Sequence, residues 1–282
     1  MSWSSRLRLL SVILLILSFP LFAKEVNWVL VDYPPYYILQ GEYKGQGRDE
    51  SVVNLLKPHL SEYQHKYHEM PVSRAVKSVR SDDKVFCIAS LYKTPERQQF
   101  IHFTENYATI GLAPAIAMRK SVATSLSLNE KKPVSLSELI TQKGLTIGLP
   151  LNRSYGNVLD AVIELAPRHQ VSYRAGADSL ESLTYMLQKQ RVDLILGYPS
   201  EHYYLKALMD KEDELTQISI SETNQIVKGY LGCSKNKAGK AVIDKLDSAL
   251  AKRNQSAEFE AIMLRWLPDN LKAYLAPMLI EQ

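Results

Sequence analysis

The chain has little cysteine and almost no long hydrophobic run. Cys87 and Cys233 are the only cysteines in 282 residues, and two thiols do not by themselves make a zinc site. Beyond residue 23, no stretch reaches the roughly 20 apolar residues needed to cross a bilayer. There is no internal repeat, no low-complexity tract and no clustered basic stripe. The last of these gives no reason to expect nucleic acid or an anionic membrane as partner. Catalytic signatures are missing as well. GQGRDE contains Gly45-x-Gly47, but Glu50 stands where a dinucleotide fingerprint needs its third glycine, and its charge would oppose a pyrophosphate. Ser90 and Lys93 fit S-x-x-K, yet no K-T-G follows, and G-x-S-x-G is absent. His65 and His68 lie three apart in a polar stretch with no further ligand cluster, which favours solvation over metal binding. No cofactor is expected.

What is present begins with MSWSSRLRLLSVILLILSFPLFA, residues 1–23: Arg6 and Arg8, an apolar stretch, then Ala23 before Lys24. This is the layout of a secretory signal peptide, and the expected location is the periplasm. Loss of the two arginines and no acid would take the formal charge from +4 to +2. In an oxidising compartment Cys87 and Cys233 are a candidate disulfide, the alternative being two buried thiols. Pairing across so long a loop would stabilise the fold by about 5 kcal/mol at most, through chain entropy.

The remainder alternates strand and helix patterns. VNWVLV (Val26–Val31), VFCIASL (Val85–Leu91), GLAPAIAMRK (Gly111–Lys120), LTIGLP, VDLILGY (Val192–Tyr198) and YLGCSK read as strands. SVVNLLKPHL, RAVKSVR, SLSELITQKG, the stretch from Tyr155 to Leu165 and SLESLTYMLQKQ read as helices, and AGKAVIDKLDSALAKRNQSAEFEAIMLRWL as a long helical tail. Fully apolar strands between helices imply an α/β fold with mostly parallel sheets.

One segment carries binding chemistry. SLYKTPERQQFIHFTENY (Ser90–Tyr107) starts at a strand's end and puts Ser90, Thr94 and Arg97 in the loop and first helical turn beyond it. Ligands of open α/β sheets bind beyond the carboxyl ends of strands, and helix-start amides with one guanidinium suit a carboxylate. Spacing leaves open an alternative in which Arg97 pairs with Glu96 or Glu105. SLYKTPER with FTENY, VDYPPYY before a glycine turn, LTIGLPLNRSYG, RVDLILGYPSEHYY and SALAKRNQSAEFEAIMLRW occur in an order that resembles the periplasmic solute-binding proteins of family 3, the polar amino-acid-binding type. The similarity extends over nearly all of the chain after residue 23.

The resemblance implies a two-lobed periplasmic-binding-protein-like fold of type II, with residues 24–110 and 229–282 in lobe 1 and 111–228 in lobe 2. It implies Arg97 as the carboxylate anchor, Ser90 and Tyr92 as its neighbours, Tyr33 as an aromatic wall, and Arg153 and Ser154 as contacts from lobe 2. Arg74 is a second candidate cation. It also puts Cys87 and Cys233 on strands of the same lobe, which is consistent with a disulfide. Where such proteins often carry an acid for the α-ammonium, this chain has Tyr198, whose phenol brings no full charge, and Arg153 adds a second cation there. The expected ligand is a small carboxylate-bearing or aromatic solute without an obligatory ammonium. The expected partner is an ABC permease or a membrane sensor, and the expected state a monomer. An enzyme on the same scaffold, a small dehydratase or cell-wall lyase, is the alternative. It would need an acid or base such as Glu96, Glu201 or His202, and no constellation points to one.

Overall fold

A computed structural model describes residues 24–280 apart from 152, 177, 209–213 and 254–255. The expected signal peptide, 1–23, lies outside the described residues. Two sheets carry the described chain. The first holds β1 (Lys24–Leu30), β2 (Tyr63–Glu69), β3 (Phe86–Leu91), β4 (Ile101–Phe103), β5 (Thr109–Leu112) and the returning β11 (Ile226–Ser234). Its order is β2-β1-β3-β11-β4, with β5 also on β11. The second has β6 (Ala115–Arg119), β7 (Ile147–Pro150), β8 (Val171–Arg174), β9 (Leu194–Gly197) and β10 (Leu215–Ser219), ordered β10-β6-β9-β7-β8. Helices α1 (Arg48–Leu56), α2 (Val72–Ser78) and α3 (Pro95–Gln98) belong to the first sheet's run of chain. α4 (Lys120–Ser125), α5 (Leu136–Thr141), α6 (Asn157–Glu164), α7 (Ser179–Gln188) and α8 (Pro199–Leu208) accompany the second. The chain then returns, and α9 (Lys237–Arg253), α10 (Ala257–Leu264) and α11 (Asp269–Ile280) pack on the first sheet. This is the two-lobed α/β architecture expected from the sequence.

The apolar strands explain the cores. Val26 and Trp28 of β1 pack with Val52 and Leu56 of α1, Leu231 of β11 and Phe259 of α10. Ile147 and Leu149 of β7 pack with Leu194 and Leu196 of β9 in the second lobe. Burying side chains of this size stabilises by about 1.5–3 kcal/mol each. β1 runs parallel to β2 and β3, and β7 parallel to β8 and β9, while β11 is antiparallel to β3, β4 and β5.

Three local expectations change. The polar stretch around His65 and His68, YQHKYHE, is β2, in register with β1 from Lys24↔Tyr63 to Leu30↔Glu69. Its histidines are structural: His65 Nδ1 accepts from Trp28 Nε1–H at 2.9 Å, and His68 Nε2 lies 2.7 Å from Asn27 Oδ1. The single strand expected over Gly111–Lys120 is two, β5 and β6, interrupted at Ala113 and Pro114, where proline cannot donate to a ladder. The long helical tail is three helices. Ser256 caps α10 by accepting from Phe259 N–H at 3.2 Å, and Pro268 precedes α11.

Cys87 and Cys233 are directly opposed on β3 and β11 and form a disulfide across a sequence separation of 146. Alkylation without reduction should therefore leave both unlabelled by intact mass. Replacing both with alanine should cost about 2–5 kcal/mol in urea unfolding. Labelling of both thiols in unreduced protein would contradict the bridge. Burial is the main cause holding the pKa values of His202, His65 and His102 below the ordinary histidine value. The unfolded chain therefore takes up these protons first, and stability falls as pH drops below about 6.5. The Tm should decrease between pH 7.5 and 5.5, and less so in His202→Gln; a flat profile would contradict this.

Candidate ligand-binding site

The site grows out of VDYPPYY. After β1 the Pro34–Pro35 bond is cis. Tyr33 and Tyr37 exchange backbone hydrogen bonds of 3.2 Å, closing a short loop. The three rings then take separate places. Tyr37 is buried in the first core. Tyr36 stacks on Tyr33 at 5.9 Å and lies 4.5 Å beneath the Arg48 guanidinium, with its hydroxyl 3.3 Å from Ser200 Oγ. Tyr33 faces Arg153 of the other lobe at 5.1 Å. The glycine turn has a structural purpose. A Cβ on Gly47 would stand 2.4 Å from Tyr36 O, so only glycine allows α1 to start so close to the tyrosine loop. Glu50 fixes that start by accepting from Gly47 N–H (3.1 Å) and Ile38 N–H (2.8 Å).

SLYKTPER forms the facing part of lobe 1. Thr94 caps α3 by accepting from Arg97 N–H at 3.4 Å, with Pro95 in the first turn. The cap brings the Arg97 side chain back toward Tyr92, whose carbonyl accepts from Arg97 Nη1 at 3.0 Å. Arg97 is half-buried and has no carboxylate partner among the described residues. Glu105, one of the acids the sequence offered it, pairs instead with Lys93 at 2.9 Å. Ser90 Oγ sits 2.8 Å from Thr109 Oγ1 and accepts from Arg48 Nη2 at 3.4 Å. Gly229 lies so close above this pair that its Cβ would meet Ser90 Oγ at 2.3 Å.

Lobe 2 contributes a guanidinium in an aromatic box. Arg153 lies 4.9–5.1 Å from the rings of Tyr33, Tyr155 and Tyr198. Glu201, fully buried at the start of α8, accepts from Arg153 Nη2 at 2.6 Å and Nη1 at 3.1 Å, and from Tyr198 N–H at 2.9 Å. Burial works against the charge of Arg153, but Glu201 and the phenolic oxygens of Tyr155 and Tyr33 more than offset it, and its pKa is raised. Burial likewise pushes the phenols of Tyr33, Tyr36, Tyr155 and Tyr198 up, so they remain neutral at physiological pH.

The two lobes touch here. Tyr92 Oη lies 2.6 Å from Tyr198 Oη, and Ile38 and Trp266 of lobe 1 pack with Leu180, Tyr204 and Leu205 of lobe 2. The space left beside Tyr36, Arg48 and Ser200 is about 20 Å³, little more than one water. Six of the eight expected residues, Tyr33, Ser90, Tyr92, Arg97, Arg153 and Tyr198, thus lie in or beside the cleft. The other two are elsewhere engaged. Ser154 is exposed and donates to Asp160 at the start of α6, and Arg74 is exposed on α2 with no contact to the box among the described residues. Sequence reasoning missed Arg48, which follows the Gly-x-Gly turn and ion-pairs with Asp49 at 2.8 Å. It also missed Tyr155, two residues from Arg153, and the role of Glu201 as Arg153's counter-ion. The second cation expected of Arg153 is therefore compensated within lobe 2. Among the described residues no three His, Cys, Asp or Glu side chains gather to hold a metal, and no helix is long and apolar enough to cross a membrane.

Residues 28–269 match the family of bacterial extracellular solute-binding proteins, family 3. No curated protein matches the sequence. Among solved structures, a substrate-binding protein of an ABC uptake transporter from Streptococcus pneumoniae with bound histidine is 15% identical, with a TM-score of 0.61, covering 88% of this chain and 94% of that one. An ancestral arginine-binding protein bound to arginine is 16% identical, with a TM-score of 0.60 over 87% and 99%. A histidine kinase sensor domain similar to periplasmic binding proteins is 18% identical, with a TM-score of 0.61 over 86% and 96%. At such identities the likeness is one of fold, whereas the family match takes in most of the sequence. The chain belongs to the bacterial extracellular solute-binding proteins of family 3, a family of binders and not of enzymes.

Proposed function

We propose that this protein captures a small carboxylate-bearing solute between its lobes, in the periplasm, for delivery to an ABC importer. Lobe 1 is residues 24–110 and 229–282, lobe 2 is 111–228, and the connections near 111–114 and 226–229 bend to close them. The observation that carries this reading is a charge inventory of the cleft. Arg48 is compensated by Asp49 and Arg153 by Glu201, while Arg97 has no acidic partner among the described residues. A single uncompensated guanidinium beside neutral phenols favours one anionic group. Glu201, the carboxylate of the aromatic box among the described residues, is already engaged by Arg153 and by Tyr198 N–H and so does not offer itself to an ammonium.

Binding would follow lobe opening, since the Tyr92–Tyr198 contact bridges the lobes beside Arg97's loop. Reclosure would restore the Tyr92–Tyr198 contact, and exclusion of water strengthens the bond to Arg97. The similarity to a histidine kinase sensor domain supports a second reading, in which the closed form docks on a membrane receptor. Both readings use the same closure.

In a thermal-shift screen of the mature protein, succinate should raise Tm more than aspartate, its ammonium-bearing counterpart, by mass action on the native state. A larger shift with aspartate would contradict the charge inventory. For a ligand found in this way, Arg97→Ala should weaken binding about 30-fold to several-thousand-fold by calorimetry, or about 2–5 kcal/mol; unchanged affinity would remove Arg97 as the anchor. Glu201→Gln leaves the Arg153 charge without its buried partner and should cost about 3–5 kcal/mol of stability, read by urea unfolding. A loss below about 1 kcal/mol would mean the pair is well solvated.

A further inference from the structure

A sizeable cavity of the protein lies outside the cleft. It encloses about 500 Å³ on the hinge side of lobe 2 and includes none of Tyr33, Arg97, Arg153 or Tyr198. That volume is typical of small-molecule sites. Ala113 and Pro114 of the first connection, Asn224 and Gln225 just before the second, and Leu271 and Tyr274 of α11 are among its lining. Its inner wall is apolar, built from Ala117, Ile195, Leu215 and Ile218.

Two of the polar side chains in the lining, His202 and Gln217, each have a buried acceptor without a partner among the described residues. His202 has its ring Nε2 3.2 Å from Ala115 O, so Nε2 carries the proton and Nδ1 is an acceptor, and Nδ1 is unpaired. Burial keeps this histidine neutral. Gln217 on β10 likewise has Oε1 buried and unpaired. An unmet acceptor in an apolar wall costs free energy that a donor from a guest would recover. The charges at the mouth, Lys131, Lys206 and Glu130, leave a small positive excess, and Glu130 is held by Thr216. They give a cation no advantage.

We propose that this cavity is a second binding site, for an uncharged and largely apolar molecule bearing N–H or O–H donors. Its two acceptors select for donors, and its walls select against charge. The site touches both connections between the lobes, and α8 carries His202 on the cavity side and Glu201 in the box. Occupancy is therefore coupled to the arrangement of the lobes, and through it to solute affinity in the cleft.

Tryptophol is a suitable probe, with an indole N–H and a hydroxyl and neither carboxylate nor ammonium. Calorimetry and thermal shift should show it binding the wild-type protein at submillimolar concentration. Its derivative methylated at both nitrogen and oxygen should bind at least 10-fold more weakly. Arg97→Ala should leave tryptophol affinity unchanged, and Gln217→Leu, which keeps the volume but removes an acceptor, should weaken it at least 10-fold. No binding at millimolar probe, equal binding of the methylated derivative, or loss of binding in Arg97→Ala would overturn the proposal. The last outcome would put the probe in the cleft, and none of the three bears on Arg97 as carboxylate anchor. If Gln217→Leu fails to fold, the methylated derivative and Arg97→Ala still decide.

Discussion

Strand β11 is the constraint on which the rest depends. The chain leaves the first sheet after β5, builds a whole second lobe, and must then return more than a hundred residues later to the gap between β3 and β4. Closing so long a loop is entropically unfavourable, and several contacts offset that cost at the point of return. They are antiparallel ladders to β3, β4 and β5, the Cys87–Cys233 bridge, and the fully buried Leu231. The same return sets Gly229 against Ser90 and Thr109, so one event of chain closure completes both the lobe 1 core and the floor below Arg97's loop.

The cleft itself is governed by desolvation. A buried guanidinium is tolerated only when a carboxylate and hydrogen bonds satisfy it, and two of the three near the tyrosine loop meet that condition within their own lobe. Aromatic faces around Arg153 add cation–π attraction that requires neutral, correctly placed rings. Burial supplies that neutrality. What lobe 2 offers to lobe 1 is thus a pre-neutralised cation on an aromatic bed, and among the described residues Arg97 is the guanidinium by the tyrosines without a carboxylate partner.

Much of this was legible in the sequence. The apolar strands announced both sheets, and SLYKTPER announced a loop and helix start beyond a strand's end. The failures have a physical pattern. β2 was hidden because YQHKYHE is an edge strand whose polar side chains are satisfied by β1 neighbours, so no apolar alternation exists to be read. Arg48 and Glu201 were hidden because pairing distance in space leaves no trace in spacing along the chain; Arg153 and Glu201 are 48 residues apart. Ser154 has a local partner that spacing did not show, Asp160, one turn into the next helix. Local rules found what is local, and the non-local charge pairs were left to the fold.

One feature of the lobe contact has an optical consequence. Trp266 makes edge-on contacts with Tyr43 of its own lobe at 5.3 Å and with Tyr204 of the other at 5.1 Å, and its indole N–H is held by Gln46 O at 3.0 Å. The other indole among the described residues, Trp28, is sealed in the lobe 1 core by His65 and does not border the cleft. Separation of the lobes would strip one aromatic neighbour from Trp266 and admit water beside it while leaving Trp28 untouched. The molecule therefore carries its own fluorescent gauge of opening, with an internal reference built into the same chain.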